Sequence, residues 1–109
     1  MELRHLRYYV AVVEEQSFTK AAEKLFIAQP PLSRQIQNLE AELGVQLFER
    51  GSRPLKTTEA GQFFYQHAVK LLSNAEEVKA MTQRVGWVEK TETMGFVGSL
   101  LYGLLPNIV

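Results

Sequence analysis

The sequence predicts a mainly α-helical fold in which three short helices and a two-stranded hairpin precede one long helix. Three observations carry this expectation. Apolar residues recur at helical spacing in three stretches of residues 3–43, separated by brief connectors. Short β-tending segments flank the turn-forming residues Gly51, Ser52 and Arg53. Over residues 64–85 apolar positions alternate at spacings of four and three, the mark of a heptad seam.

In the first helix, Leu3, Leu6, Val10 and Val13 recur at spacings of 3, 4 and 3 and form one stripe. Ser17 suits the N-cap of a second helix, because its hydroxyl accepts from a first-turn amide. That helix carries Phe18, Ala21, Ala22 and Leu25 at i, i+3, i+4 and i+7. Phe26, Ile27, Ala28 and Gln29 read as the connector. A third helix is expected to begin at Pro30 and Pro31, where a missing N–H costs little. Its stripe is Leu32, Ile36, Leu39 and Leu43, with Gly44 as the stop. Three helices, each with one apolar face, must bury those faces against one another. The second and third are spaced as a helix-turn-helix.

Residues 45–50 and 54–57 are expected to pair as the two strands of a wing. Thr58 is a fitting N-cap for the long helix, and Glu59 complements its dipole. A helix over residues 58–88 spans roughly 45 Å at about 1.5 Å per residue. Its seam is Phe64, Ala68, Leu71, Ala75, Val78, Thr82 and Val85. The preceding unit is small for such a rod, so the seam is expected to meet a second copy of the chain. A seam covered by the chain's own helices is the alternative. The apolar tail reads as a strand entering a helix with nothing downstream to pack against. The expected division is therefore 1–57 winged helix-turn-helix, 58–88 linker and dimerisation helix, and 89–109 hinge and truncated start of a further domain.

Composition limits the function. With 109 residues, 46% of them hydrophobic, the chain suits one globular domain. It has no cysteine, which excludes disulfides and thiolate metal sites and fits a reducing cytosol. The N-terminus lacks a continuous apolar core of the signal-peptide type, and no uncharged run approaches the ~18 residues of a membrane span. A soluble, cytoplasmic chain with no membrane partner is expected. An enzyme fits poorly, because all 12 acidic residues are Glu and His5 and His67 have no companion pattern for metal or triad chemistry. His67 lies beside the seam, so at most it suggests a pH-sensitive dimer contact. No Gly-rich phosphate loop is present. Net charge is zero, so any electrostatic footprint is local. The run RGSRPLK supplies one, with Arg50, Arg53 and Lys56 and no acid.

On a helical wheel at about 100° per residue, Pro30, Ser33, Arg34 and Gln37 fall on a face separate from the Leu32 stripe. These types suit a DNA major groove. Arginine pairs with guanine O6 and N7, glutamine with adenine N6 and N7, serine with base or phosphate, and apolar carbons with a thymine methyl. A polar helix face is often merely solvated, and paired prolines often merely start a helix. The basic wing that follows in order favours DNA, because such wings lie along phosphates or enter a minor groove. A winged scaffold that binds only protein is the rival, and it has no reason to keep a basic wing beside a polar helix face.

The blocks LRYYVAVVEEQSFTKAAEKL, AQPPLSRQIQNLEAELGVQLFER and TTEAG occur in order with the expected gaps. In them the chain resembles the N-terminal region of LysR-type transcriptional regulators over about residues 1–90, above all those controlling benzoate and catechol degradation. FVGSLLYGLLP is similar to the start of that family's effector-binding domain. The resemblance implies a sequence-specific regulator with a winged helix-turn-helix, a linker helix pairing antiparallel with its twin, and a partly palindromic operator. It implies double-stranded DNA as partner, a homodimer, and a tetramer when full length. It also implies recognition-helix contacts at Gln29, Pro30, Pro31, Ser33 and Arg34, with Arg53 as the wing contact. No cofactor is implied for this stretch, but a small effector, muconate or benzoate, is implied for the full-length protein, with Ser99 helping to bind it. Departures are small: Tyr9 stands where the family often has Phe, Thr57 where it often has Leu, and Phe26 where a smaller residue is expected in the turn.

Overall fold

The computed structural model describes residues 1–91; Ser99 and the expected strand-to-helix tail lie outside the described residues. Four helices follow in order: α1 (Leu3–Glu15), α2 (Phe18–Leu25), α3 (Gln29–Leu43) and α4 (Glu59–Thr91). The chain divides into a unit of residues 1–73 and a second unit beginning at Asn74.

In the first unit α1, α2 and α3 pack pairwise. The Glu2 amide at the start of α1 donates to His5 Nδ1 at 3.0 Å, so His5 completes a capping box. The core face of α1 is Leu6, Tyr9, Ala11 and Val12. This corrects the expected stripe: Leu3 is exposed, and Val10 and Val13 are only half-buried. Tyr9 draws the face toward itself, because its ring packs within 5.2 Å of both Phe48 and Phe64. Ser17 caps α2 by accepting from the Lys20 amide at 3.1 Å, as expected. Ala21 and Ala22 are buried, their small side chains placing α2 directly on the core. The helix closes with Phe26 in the left-handed region (φ +59°), and the Ile27 amide donates to Ala22 O at 3.0 Å. The bulk of Phe26 does not enter the turn. Its ring is 94% exposed, while Ile27 packs on the core.

Helix α3 begins at Gln29, one residue before the prolines, so Gln29 is helical and not connector. Pro30 and Pro31 then occupy the first turn, where the N–H groups they lack would have had no helical partner. Leu32, Ile36 and Leu39 are buried, but Leu43 at the end of the stripe is exposed. Gly44 (φ +73°) ends the helix, with its amide donating to Glu40 O at 2.8 Å.

The expected two-stranded wing reduces to a loop closed by one antiparallel bridge, Phe48 to Thr57. Two backbone bonds flank it, Glu49 N to Lys56 O at 2.9 Å and Thr58 N to Leu47 O at 3.1 Å. The next rung would send the Lys56 N–H to Glu49 O. Instead that N–H donates to Ser52 Oγ at 3.1 Å, and the Ser52 hydroxyl donates to Glu49 O at 3.4 Å. A serine side chain thus takes the place of a ladder bond, and no strand extends.

Thr58 caps α4, accepting from the Gly61 amide at 3.0 Å, and α4 continues to Thr91 instead of ending at 88. The expected seam is not uniform. Ala68 is fully buried, and Phe64 lies in the aromatic cluster with Tyr9. These two positions face the chain's own core. Leu71, Val78 and Thr82 are exposed, with Ala75 and Val85 half-buried. No helix among the described residues is long and apolar enough to cross a membrane.

Candidate nucleic-acid interface

The face expected to read DNA is presented by the first two turns of α3. Pro30, Pro31, Arg34 and Gln37 are exposed, and Gln29 and Ser33 are half-buried. The opposite face, Leu32, Ile36 and Leu39, is held in the core and fixes the rotation of the helix. At its N-terminus the Gln29 Nε2 donates to Ser33 Oγ at 2.6 Å. The two residues stand at i and i+4, the spacing that stacks side chains on one helix face.

Arg50, Arg53 and Lys56 are all exposed on the wing. None of the three ion pairs among the described residues involves them or Arg34; those pairs join Met1 to Glu42, Arg4 to Glu2, and Lys24 to Glu15. Four cations therefore face solvent without a carboxylate partner, which leaves their charge available to an anionic ligand.

A groove of about 410 Å³ separates α3 from the wing. Ser33 and Gln37 line one wall, and Gln46, Arg50 and Gly51 the other. The structure thus brings Ser33, Gln37 and Arg50 together. Arg34, Arg53, Lys56 and the prolines lie outside the groove lining. The surface is less acid-free than the sequence suggests, because Glu40 and Glu49 also line the groove. Glu40 is engaged: its carboxylate accepts from the Leu47 amide at 2.7 Å and the Phe48 amide at 3.4 Å. Those bonds tie the base of the wing to α3 and so set the position of Arg50 relative to Gln37. Nothing in the spacing of Glu40 signalled this role; only the fold brings the chain back to it after Gly44.

Two tyrosines are titratable groups with displaced acidities, and neither is on the face expected to read DNA. Burial, reinforced by the negative charge of Glu40, pushes the Tyr9 phenol well above its ordinary value. Its hydroxyl donates to Gly61 O at 2.7 Å. The Tyr65 hydroxyl donates to Glu14 Oε2 at 2.8 Å, and that bond raises its pKa. Both groups are neutral structural donors. His5 serves as a cap and the His67 ring packs tilted against Phe63, centroids 4.4 Å apart, and among the described residues no acidic or histidine cluster of three or more is placed to hold a metal.

Comparison with known proteins bears directly on this surface. The family model of the bacterial regulatory helix-turn-helix proteins of the lysR family matches residues 3–62, which span α1, α2, α3 and the wing. The HTH-type transcriptional regulator BenM of Acinetobacter baylyi is 74% identical over the whole chain, which covers 36% of that protein. A probable cat1 operon transcriptional activator of Acinetobacter lwoffii is 51% identical, again over the whole chain and 36% of its own length. The chain thus spans about a third of the length of these curated relatives. Among solved structures, the BenM DNA-binding domain in complex with benA site 1 DNA superposes with a TM-score of 0.78 at 76% identity, over 79% of this chain and 97% of that one. The chain belongs to the LysR family of bacterial regulatory helix-turn-helix proteins.

Proposed function

We propose that this chain is the DNA-binding and dimerisation portion of a bacterial transcriptional regulator that recognises a partly palindromic operator and controls genes of aromatic-compound catabolism. The observation that carries the reading is the exposed face of the N-terminal turns of α3, followed by wing cations that form no ion pair among the described residues. The relative solved on its DNA site shares that fold and three-quarters of its residues, which supports carrying the activity over.

In this reading α3 enters a major groove. Arg34 and Gln37 meet base edges, Pro30 and Pro31 offer apolar carbon to thymine methyls, and Gln29 and Ser33 complete the face. Arg50, Arg53 and Lys56 follow the adjacent backbone and supply sequence-independent attraction. Two copies of the chain meet through Leu71, Ala75, Val78, Thr82 and Val85, the part of the seam that the first unit's core does not use. A two-fold arrangement of reading helices then demands a two-fold site. The longer protein assembles as a tetramer in the cytoplasm and answers to a small effector of the muconate or benzoate type through a domain that includes Ser99. No membrane surface and no catalytic step belong to this reading.

The test is selection of the chain on duplexes with a randomised central region. Enriched duplexes with two similar half-sites related by two-fold symmetry support the proposal. A pool that shows no enrichment overturns it.

A further inference from the structure

The bond between Gln29 and Ser33 restricts what Gln29 can read. A glutamine amide carries two donor hydrogens on Nε2 and acceptor lone pairs on Oε1. One of those hydrogens is committed to Ser33 Oγ at 2.6 Å. What remains for a ligand is one N–H and the carbonyl. Adenine presents N7 as acceptor beside N6 as donor, whereas guanine presents two acceptors, N7 and O6. An amide held this way is complementary to adenine and not to guanine. Turned over, with its Oε1 accepting from the Ser33 hydroxyl, the same amide would offer a free NH₂ to guanine. The orientation is therefore the specificity.

The prolines contribute to this arrangement. Pro30 and Pro31 remove two of the donors that a helix start ordinarily leaves unpaired. Those donors would otherwise compete for Gln29 Oε1. With them absent, Oε1 stays open to a ligand while Nε2 donates to Ser33 one turn along, and both side chains are half-buried on the same face.

We propose that Ser33 is a positioning residue that fixes the Gln29 amide and thereby sets a preference for adenine over guanine at one position of each half-site. The inference rests on the proposed placement of α3 in a major groove.

The experiment compares the chain with its Ser33→Ala, Ser33→Thr and Gln29→Ala variants on duplexes selected by the unaltered chain. Each half-site position is changed in turn from A·T to G·C, and relative affinities are read by competition. The unaltered chain is expected to favour adenine at one Gln29-dependent position by about 5- to 150-fold, the range of one bidentate base contact. Ser33→Ala should shrink that preference to within about threefold, while the preferences at other positions persist and report a folded protein. Ser33→Thr, which keeps the hydroxyl, should retain it. Adding Ser33→Ala to Gln29→Ala should cost no further discrimination, because the two act as one unit. Retention of the adenine preference in Ser33→Ala overturns the inference, as does a uniform loss on every duplex, which would make Ser33 a backbone contact. A guanine preference at the Gln29-dependent position overturns it too. Failure of the unaltered chain to select any sequence would remove the proposed function itself. Successful selection with a Gln29 position indifferent to Ser33 would remove this inference alone.

Discussion

Gly51 and Gly61 are both glycines of the wing-to-helix region, yet they are required for opposite reasons. Gly51, at the tip of the wing, has φ +73° and open space where a Cβ would stand. It is needed for its backbone freedom. Gly61, in the first turn of α4, has an ordinary helical backbone, but a Cβ there would overlap Leu47 O and stand 2.7 Å from the Tyr9 hydroxyl. It is needed for its absence of volume. The surroundings match. The start of α4 is tied down by Thr58 Oγ1 donating to Gln46 O at 2.6 Å, by Thr58 N donating to Leu47 O, and by Tyr9 donating to Gly61 O. The tip of the wing has only the Ser52 relay and side chains open to solvent. The junction is bonded into the core, whereas the tip leaves Arg50 and Arg53 exposed.

The sharpest way to break that comparison is Gly61→Ala. Helix propensity alone would favour alanine by up to about 1 kcal/mol. The overlap is with backbone, which cannot rotate away, so α4 or the chain around Leu47 must shift. A net destabilisation of about 3 kcal/mol is expected, read as a lower urea midpoint at unchanged slope. An unchanged or raised midpoint would mean that α4 does not start in close contact with Leu47.

Tyr9→Phe probes the same junction with a smaller change. It keeps the ring contacts with Phe48 and Phe64 and deletes one buried hydrogen bond, at an expected cost of about 1 kcal/mol. The phenol also makes the junction alkali-sensitive. Its folded pKa is raised above the unfolded value, so its contribution is fully present below about pH 10 and falls as pH rises further. Above that pH the unfolded chain releases its proton first, and the slope is about 1.4 kcal/mol per pH unit for this one group. Denaturation followed from pH 9 to 11 should therefore show a steeper loss in the unaltered chain than in Tyr9→Phe. Parallel curves would show that the phenol ionises freely in the folded protein.

These same residues show where sequence reading reaches and where it stops. The caps at Ser17 and Thr58 and the stop at Gly44 are local devices, and all three stand where the sequence places them. That Pro30, Ser33, Arg34 and Gln37 lie off the buried stripe of α3 was legible too, because helical spacing suffices to separate the two faces. Tyr9 was not. Its partner Gly61 is 52 residues away, and no local pattern announces that a phenol will become the centre of the core. The heptad seam was legible as a period but not as an address: periodicity does not say whether Phe64 and Ala68 face a twin or, as here, the chain's own core. The wing failed as a pair of strands because a serine hydroxyl replaced one ladder bond, a substitution invisible to strand propensity. In the reading face, the spacing of Gln29 and Ser33 was visible, but their bond could not be told from two solvated side chains.

The smallest expected effect on stability, and the most informative about the wing, is that of Arg53→Ala. Arg53 is exposed, forms none of the ion pairs among the described residues, and lies away from the junction bonds. Its removal should leave the denaturation midpoint within about 0.5 kcal/mol of the original, as for most surface substitutions. Binding to duplex DNA is where the loss should appear. If the guanidinium displaces one counterion from a phosphate, the slope of log affinity against log salt should become shallower by about 0.9. Because that term is sequence-independent, the loss should be equal on selected and unselected duplexes. A loss confined to selected duplexes would instead place Arg53 against a base edge or in a narrowed minor groove, where the wing reads shape as well as charge. An unchanged slope with unchanged affinity would detach the wing from the interface and leave α3 to bind alone, which the wing's three cations, none of them in an ion pair among the described residues, argue against.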